Sequence, residues 1–292
     1  MDHVRDKVRI ASVQWQATAL DASGVFQRFS GFVSAAADYS ADFIVFPELF
    51  TLCLLSGEEP MDAADIARRS DAHTQAFIDH MRALAKEHEI NIVAGSHLML
   101  DEDGIARNRS FVFLRDGSLH ARDKLHPTPT ENDPWRVAGG NRADIVETAC
   151  GPVGVMICYD SEFPELARHL IDQGARILFV PYCTDTVHGH LRVRYCCQAR
   201  TVENQCYVVT SGMTGRFHNI PEQHDAYAQS AILTPSDLPF ARDGIAAEAT
   251  ANADMIIYAD LDLGALDWVR KEGAVRNLND RRHDLYSVNW TS

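Results

Sequence analysis

The 292-residue chain lacks several features that would have directed its reading elsewhere. No apolar run approaches the roughly 18–20 residues of a membrane span. The N-terminal stretch MDHVRDKVRIASVQW has no apolar h-region of the kind a signal peptide carries. There is no Cys-x-x-Cys pair, so a structural zinc site is not expected. Cys53, Cys150, Cys158, Cys183, Cys196, Cys197 and Cys206 make an odd count, which argues against a disulfide framework. Excess positive charge is missing too: the net charge is −14 and the acidic residues are scattered. Binding to nucleic acid or to an anionic membrane is therefore not expected. Together these absences predict a soluble, cytoplasmic protein, most of whose cysteines are small buried hydrophobes.

What is present is apolar content, 46% of residues, without a low-complexity linker or a break in composition. That predicts one domain over 1–292, with a large core. Strand-like runs at 8–15, 42–48, 90–99, 109–119, 143–160, 175–183, 206–213, 228–235 and 254–263 alternate with helical patterns at 21–39, 63–88, 164–173 and 189–204. Asp116-Gly117 marks a hairpin, and Gly151-Pro152 divides 143–160 into two strands. Pro164 suits the first turn of a helix, and Gly174 ends it. After a short helix, 275–292 is an Arg/Asn/Asp-rich tail. The class is α/β, and the hairpins make the sheets mixed.

Phe-Pro-Glu-Leu occurs twice, at 46–49 and 163–166. The first copy ends an apolar strand; the second opens a helix. Glu48 therefore sits at a strand's C-terminal edge, where α/β proteins place functional groups, although a lone loop glutamate is more often simply solvated. Glu165, in a first helical turn, is read as favourable to the helix dipole. Cys158 follows the buried run VGVMI and precedes a helix, whose N-terminus would lower a thiol pKa and offer N–H groups to an oxyanion. Lys124 in HARDKLHPTP and Glu131 in TPTENDPW are individually weak candidates. Their occurrence together, in this order, carries the weight.

The segments FPE (46–48), RDKLHP (122–127) and GVMICYDSEFPEL (154–166), with ILFVPY (177–182) and ARTVENQCYVV (199–209), resemble the nitrilase superfamily of carbon–nitrogen hydrolases. The resemblance implies a four-layer αββα sandwich of two mixed β-sheets, paired across a homodimer or a higher homo-oligomer with the tail 275–292 at the interface. It implies Glu48 as general base, Lys124 as oxyanion-stabilising cation, Cys158 as nucleophile and Glu131 as the second glutamate that holds the lysine. Tyr159 would give a backbone N–H to the oxyanion, and Tyr182, Cys183 and His188 would line the substrate pocket. No metal or organic cofactor is implied. The substrate would be a small linear amide cleaved to a carboxylate and ammonia or an amine. A nitrile and an N-carbamoyl amine are the alternatives.

Cys158-Tyr159-Asp160 departs from the Cys-Trp-Glu usual in the nitrile-cleaving branch, and Glu162 stands where many amidases and carbamoylases have arginine. KLHPTPTENDPWRVAGGN resembles a branch found elsewhere joined to an acetyltransferase domain, which is not expected within these 292 residues. Two readings compete with the thiol hydrolase. His188 and His190 invite a metal site but have no third ligand at an obvious spacing. His126 or His97 would be the base of a Cys-His-Asp triad. Arg192 and Arg194 suit a substrate carboxylate, or simply a solvated helix face.

Overall fold

Alternation along the first strand decides how the layers stack. In β1, Lys7–Gln16, Ala11, Val13 and Trp15 face one apolar cluster, while Val8 and Ile10 face another. A strand buried on both faces must lie between two covering layers. The computed structural model describes residues 7–217, 219–223 and 225–291, so the leaderless reading of residues 1–6 lies outside it.

After β1 come α1 (Ala22–Asp38), capped by the Asp21 carboxylate, β2 (Phe43–Val45), α2 (Ile66–Asp71) and α3 (Thr74–Glu87). Strands β3 (Asn91–Val93), β4 (His97–Leu100), β5 (Ala106–Phe113) and β6 (Leu119–Asp123) follow, then the one-turn α4 (Pro129–Asn132). Next are β7 (Val153–Val155), α5 (Pro164–Asp172), β8 (Ile177–Tyr182), α6 (Val187–Asn204) and β9 (Tyr207–Thr214). The chain ends with β10 (Ala231–Leu233), β11 (Ile245–Glu248), β12 (Met255–Asp262) and α7 (Leu263–Glu272).

β12 runs antiparallel to β1, which is parallel to β2, itself parallel to β3; β5 closes this sheet antiparallel to β3, with β4 and β6 paired to β5. The second sheet is β7, β8 and β9 in parallel, extended antiparallel by β10 and β11. The sheets join where Trp15 and Gln16 pair with Met213 and Thr214. They pack face to face, with Phe43 of one against Phe179 of the other at 5.2 Å between ring centroids. Phe29 and Val33 of α1 and Phe77 and Met81 of α3 cover the outer face of the first sheet. Leu166 and Leu170 of α5 and Val193 and Cys197 of α6 cover the second. This is the αββα order, with mixed sheets.

Several expected elements are divided. The run 90–99 is two strands broken at Gly95, whose φ of +50 turns the chain against Pro47; a Cβ there would lie 1.9 Å from the Pro47 carbonyl oxygen. The helix expected over 63–88 splits before Thr74, whose hydroxyl bonds Asp71 (3.0 Å) and His97 (2.8 Å). The first strand expected in 143–160 is a single bridge, Val146 to Val153. The tail folds back on its own α5, with Trp290 stacked on His169 and Arg281 bonded to Asp172 at 2.8 Å.

Candidate active site

The parallel strands of both sheets deliver their C-terminal ends to one place. Glu48 lies three residues beyond β2, Cys158 three beyond β7, Cys183 one beyond β8, and Lys124 directly follows β6. Each turn is tightly set. Leu49 has φ +59 with its N–H bonded to Ser96 Oγ at 3.1 Å, and Cys158 has φ +50 at the head of a 3₁₀ turn over Cys158–Glu162. The left-handed region is unfavourable for a side chain with a Cβ, so the surroundings must impose it. Around Cys158 they do. Ser161 Oγ bonds the Cys158 carbonyl at 2.7 Å, and Asp160 Oδ2 accepts the Ile157 N–H at 3.1 Å. Asp160 also accepts the His126 N–H (2.9 Å), the His126 ring (2.8 Å) and the Leu125 N–H (3.3 Å), so one carboxylate ties the Cys158 turn to the segment after Lys124.

Lys124, Glu48 and Glu131 are almost wholly buried, with side-chain exposures of 1%, 2% and 5%. Lys124 Nζ lies 2.8 Å from Glu48 Oε1 and 2.5 Å from Glu131 Oε2. Glu131 is the third residue of α4, in a capping box with Thr128: its carboxylate accepts the Thr128 N–H at 2.8 Å, and its own N–H donates to Thr128 Oγ1. Glu48 Oε2 accepts the Cys183 N–H at 2.9 Å. The Cys158 thiol donates to the Cys183 carbonyl at 3.8 Å.

The electrostatics follow from this burial. Desolvation raises the Glu48 pKa, with Glu131's charge adding to it and Lys124 opposing. Burial works against charge on Glu131 also, but Lys124 and the Thr128 N–H outweigh it and hold the carboxyl below its ordinary value. Burial opposes charge on Lys124, yet Glu131, Glu48 and Cys158 hold it well above the usual lysine range. Cys158 is pushed well up, first by burial and then by Glu48. The expected lowering of this thiol by a helix N-terminus does not occur, because α5 begins only at Pro164 and the thiol faces a carboxylate. Burial and charge thus favour a neutral thiol on Cys158, a charged Glu131 and a charged Lys124, and give Glu48 a raised affinity for a proton.

A cavity of about 280 Å³ opens over Cys158 and is lined by Glu48, Lys124, Glu131, Tyr159 and Cys183, with Thr128, Trp135, Thr184, Gly189 and Val193 around them. Glu162 and Arg192, 3.5 Å apart, sit with Asp185 and Glu222 in its wall. Two expected lining residues lie elsewhere. Tyr182 is buried, its hydroxyl 3.2 Å from His190 Nδ1, because alternation at a strand end puts it opposite Cys183. His188 is exposed, because α6 turns Gly189, Arg192 and Val193 to the cavity instead. His188 and His190 do not converge. His97 bonds Thr51 and Thr74 in the core, and His126 stacks on Phe163 at 3.7 Å. Arg194 pairs with Glu248 at 2.6 Å. Asn108 was not anticipated: its Nδ2 donates to both Glu48 (3.0 Å) and Glu131 (2.7 Å). The available signal was alternation, since Arg107 and Arg109 point outward and so turn Asn108 inward.

The family profile for carbon-nitrogen hydrolases matches residues 9–271. "Probable hydrolase YhcX" of Bacillus subtilis is 41% identical over 287 residues, which are 97% of this chain but 55% of that protein, so the chain spans about half its length. "Omega-amidase NIT3" of Saccharomyces cerevisiae is 28% identical, covering 96% of this chain and 95% of its own. The crystal structure of S. cerevisiae Nit3, a member of branch 10 of the nitrilase superfamily, superimposes with a TM-score of 0.75 at 26% identity, covering 91% and 94% of the two chains. That of a carbon-nitrogen hydrolase from Helicobacter pylori G27 gives 0.80 at 20% identity, over 97% and 98%, and speaks to the fold. With its profile match running from β1 into α7, the chain belongs to the carbon–nitrogen hydrolases of the nitrilase superfamily.

Proposed function

We propose that the protein hydrolyses a small linear amide to a carboxylate, releasing ammonia or an amine, through a Cys158 thioester. The observation that carries this reading is the convergence of Cys158, Glu48 and Lys124 on one cavity, with the buried Lys124 ammonium 2.8 Å from the Glu48 carboxylate. The amidase names among the relatives agree with it.

The chemistry follows from those three groups. An ordinary thiol, of pKa about 8.5, is only a few per cent thiolate at neutral pH, and burial makes this one scarcer still. Proton transfer to Glu48 must therefore accompany attack on the amide carbonyl. Glu48's raised proton affinity favours that transfer. The sulfur–carbon bond forms and the carbonyl oxygen becomes an oxyanion, which the Lys124 ammonium and the Tyr159 N–H stabilise. Collapse breaks the carbon–nitrogen bond, the leaving nitrogen takes the proton from Glu48, and a thioester remains. Glu48 then removes a proton from water as it attacks the thioester, and the thiol is regenerated. No step calls for a metal or an organic cofactor.

Ammonia release should be measured from matched amides, nitriles and N-carbamoyl amines, beside Cys158→Ala and with a chelator. Amide turnover that disappears in the variant and ignores the chelator is the expected result. Turnover that survives Cys158→Ala, or stops with chelator, overturns the reading. We read the molecule further as a cytoplasmic homodimer. The seven free cysteines suit a reducing compartment, and Tyr195 and Val202 on α6, with Leu285, Tyr286 and Val288 in the tail, are exposed apolar side chains for a second copy to cover. A monomeric mass in solution would exclude the dimer.

A further inference from the structure

Asn108 touches every charged member of the buried network, yet no step above uses it. Its Nδ2 donates to Glu48 Oε1 at 3.0 Å and to Glu131 Oε1 at 2.7 Å, and its backbone carbonyl accepts the Lys124 N–H at 2.8 Å. The side chain is wholly buried, and its Oδ1 has no hydrogen-bond partner. A buried amide oxygen left unpaired is unfavourable, so something stronger sets the amide's orientation. Here it is the two carboxylates, because a flipped amide would turn its oxygen toward both. A single NH₂ group with two hydrogens is suited to bridge two anions without adding charge to a site where two carboxylates share one ammonium.

Lys124 Nζ bridges the same pair, from Glu48 Oε1 to Glu131 Oε2. Asn108 and Lys124 thus close a ring through the two carboxylates. Glu48 Oε1 is tied twice, while Oε2 is held only by the Cys183 N–H on the side of the nucleophile. We propose that Asn108 is a positioning residue that closes this ring and keeps the Oε2 edge of Glu48 turned toward Cys158 and Cys183. The groups facing Glu48 are Asn108 from β5, Lys124 after β6, Glu131 from α4, Cys158 after β7 and Cys183 after β8. Losing the Asn108 donor disfavours the charged carboxylate and lets it rotate, so Glu48 holds a proton to higher pH.

The inference rests on the amidase reading only where turnover is the readout, so a second readout is independent of it. Asn108→Asp keeps the shape and replaces the donor by an acid; Asn108→Ser keeps one donor on a shorter arm. For both, kcat and KM are measured against pH, along with the rate of Cys158 alkylation by iodoacetamide and the far-UV circular dichroism. For Asn108→Asp the acid limb of kcat/KM should move up by about one pH unit. Its kcat should fall at least about tenfold, a share of the roughly 10²–10⁴-fold a positioned base contributes, with KM little changed. Cys158 alkylation at pH 7 should slow in parallel, and Asn108→Ser should show the same changes to a smaller degree. A folded variant with the parent's acid limb and alkylation profile overturns the proposal, as does loss of the fold in both variants, which would make Asn108 merely structural. If the alkylation shift appears while the parent cleaves no amide, the amidase reading fails and the positioning role stands.

Discussion

Replacing Lys124 by methionine tests the electrostatics and the chemistry of the site together. Methionine keeps most of the apolar stem and removes only the charge. Two carboxylates of 2% and 5% side-chain exposure would then face each other with no cation between them. Breaking a buried pair in this way costs about 3–5 kcal/mol, because the partner charge is left uncompensated. In the parent, Glu131 is held below its unfolded value by Lys124, so its contribution to stability is present above that value and fades as pH falls through the folded pKa. In Lys124→Met both carboxyls are raised, so the sign reverses. Stability is then favoured below the unfolded carboxyl pKa of about 4.3 and lost as pH rises through the folded values.

The difference between variant and parent should therefore be large at pH 8 and shrink toward pH 5. Near the lower end of about 2–4 °C per kcal/mol for chains of this size, the Tm at pH 8 should drop by roughly 6–10 °C. Loss of one oxyanion donor should lower kcat by about 10²–10³-fold at both pH values. Thermal melts and ammonia-release assays at pH 5.5 and pH 8 measure both. A Tm difference that is equal at the two pH values would refute the assignment of the cost to unpaired carboxylates. A kcat within threefold of the parent, on the order of a factor no oxyanion donor would account for, would remove Lys124 from the chemistry.

Gly95→Ala should cost about 2–4 kcal/mol in urea unfolding and disable ammonia release, because its Cβ would meet the Pro47 backbone at 1.9 Å beside Glu48, in a left-handed conformation. Asp160→Asn should lower both kcat and stability, the latter by about 1–3 kcal/mol, since one amide oxygen cannot serve the donors that two carboxylate oxygens now accept; melting and activity of the purified variant check it. Burial pushes the His97 pKa down to about 3, with His73 adding to it, so its unfolded form binds the proton first and stability is lost as pH falls below about 6.5. His97→Gln should lose less stability than the parent between pH 7 and pH 4.5, as read from urea midpoints. Arg192→Ala removes the cation facing Glu162, beside Asp185 and Glu222, and should raise KM for carboxylate-bearing amides by up to about fivefold while sparing neutral ones.

The parts of the site legible in the sequence are those whose signal is local. Glu48 and Cys158 stand just beyond apolar strands, and Glu131 follows Lys124 by seven residues, so the order of residues already implied their meeting. Which way a side chain faces is a different matter, because it depends on register. Cys183 and Tyr182 are neighbours at the end of β8, and only the pairing of that strand shows which of them meets the cavity. His188 failed for the helical version of the same reason: the positions facing the cavity are 189, 192 and 193, a pattern fixed only once α6 has docked. The break at Gly95 was hidden because its cause is a backbone that lies far away in sequence, at Pro47. β11 was missed since its short run is amphipathic and pairs only at an edge, across a register shift at Ile232/Leu233. Asn108 lies between these cases. Its inward direction could be read from the flanking arginines, but its partners come from a loop and from α4, 60 and 23 residues away, and what it does depends on both being carboxylates. The identities of the candidate groups are thus written locally, whereas the bonds that hold them in place are written across the fold, and those bonds explain why a thiol pushed up, a raised carboxyl and a retained ammonium line one cavity.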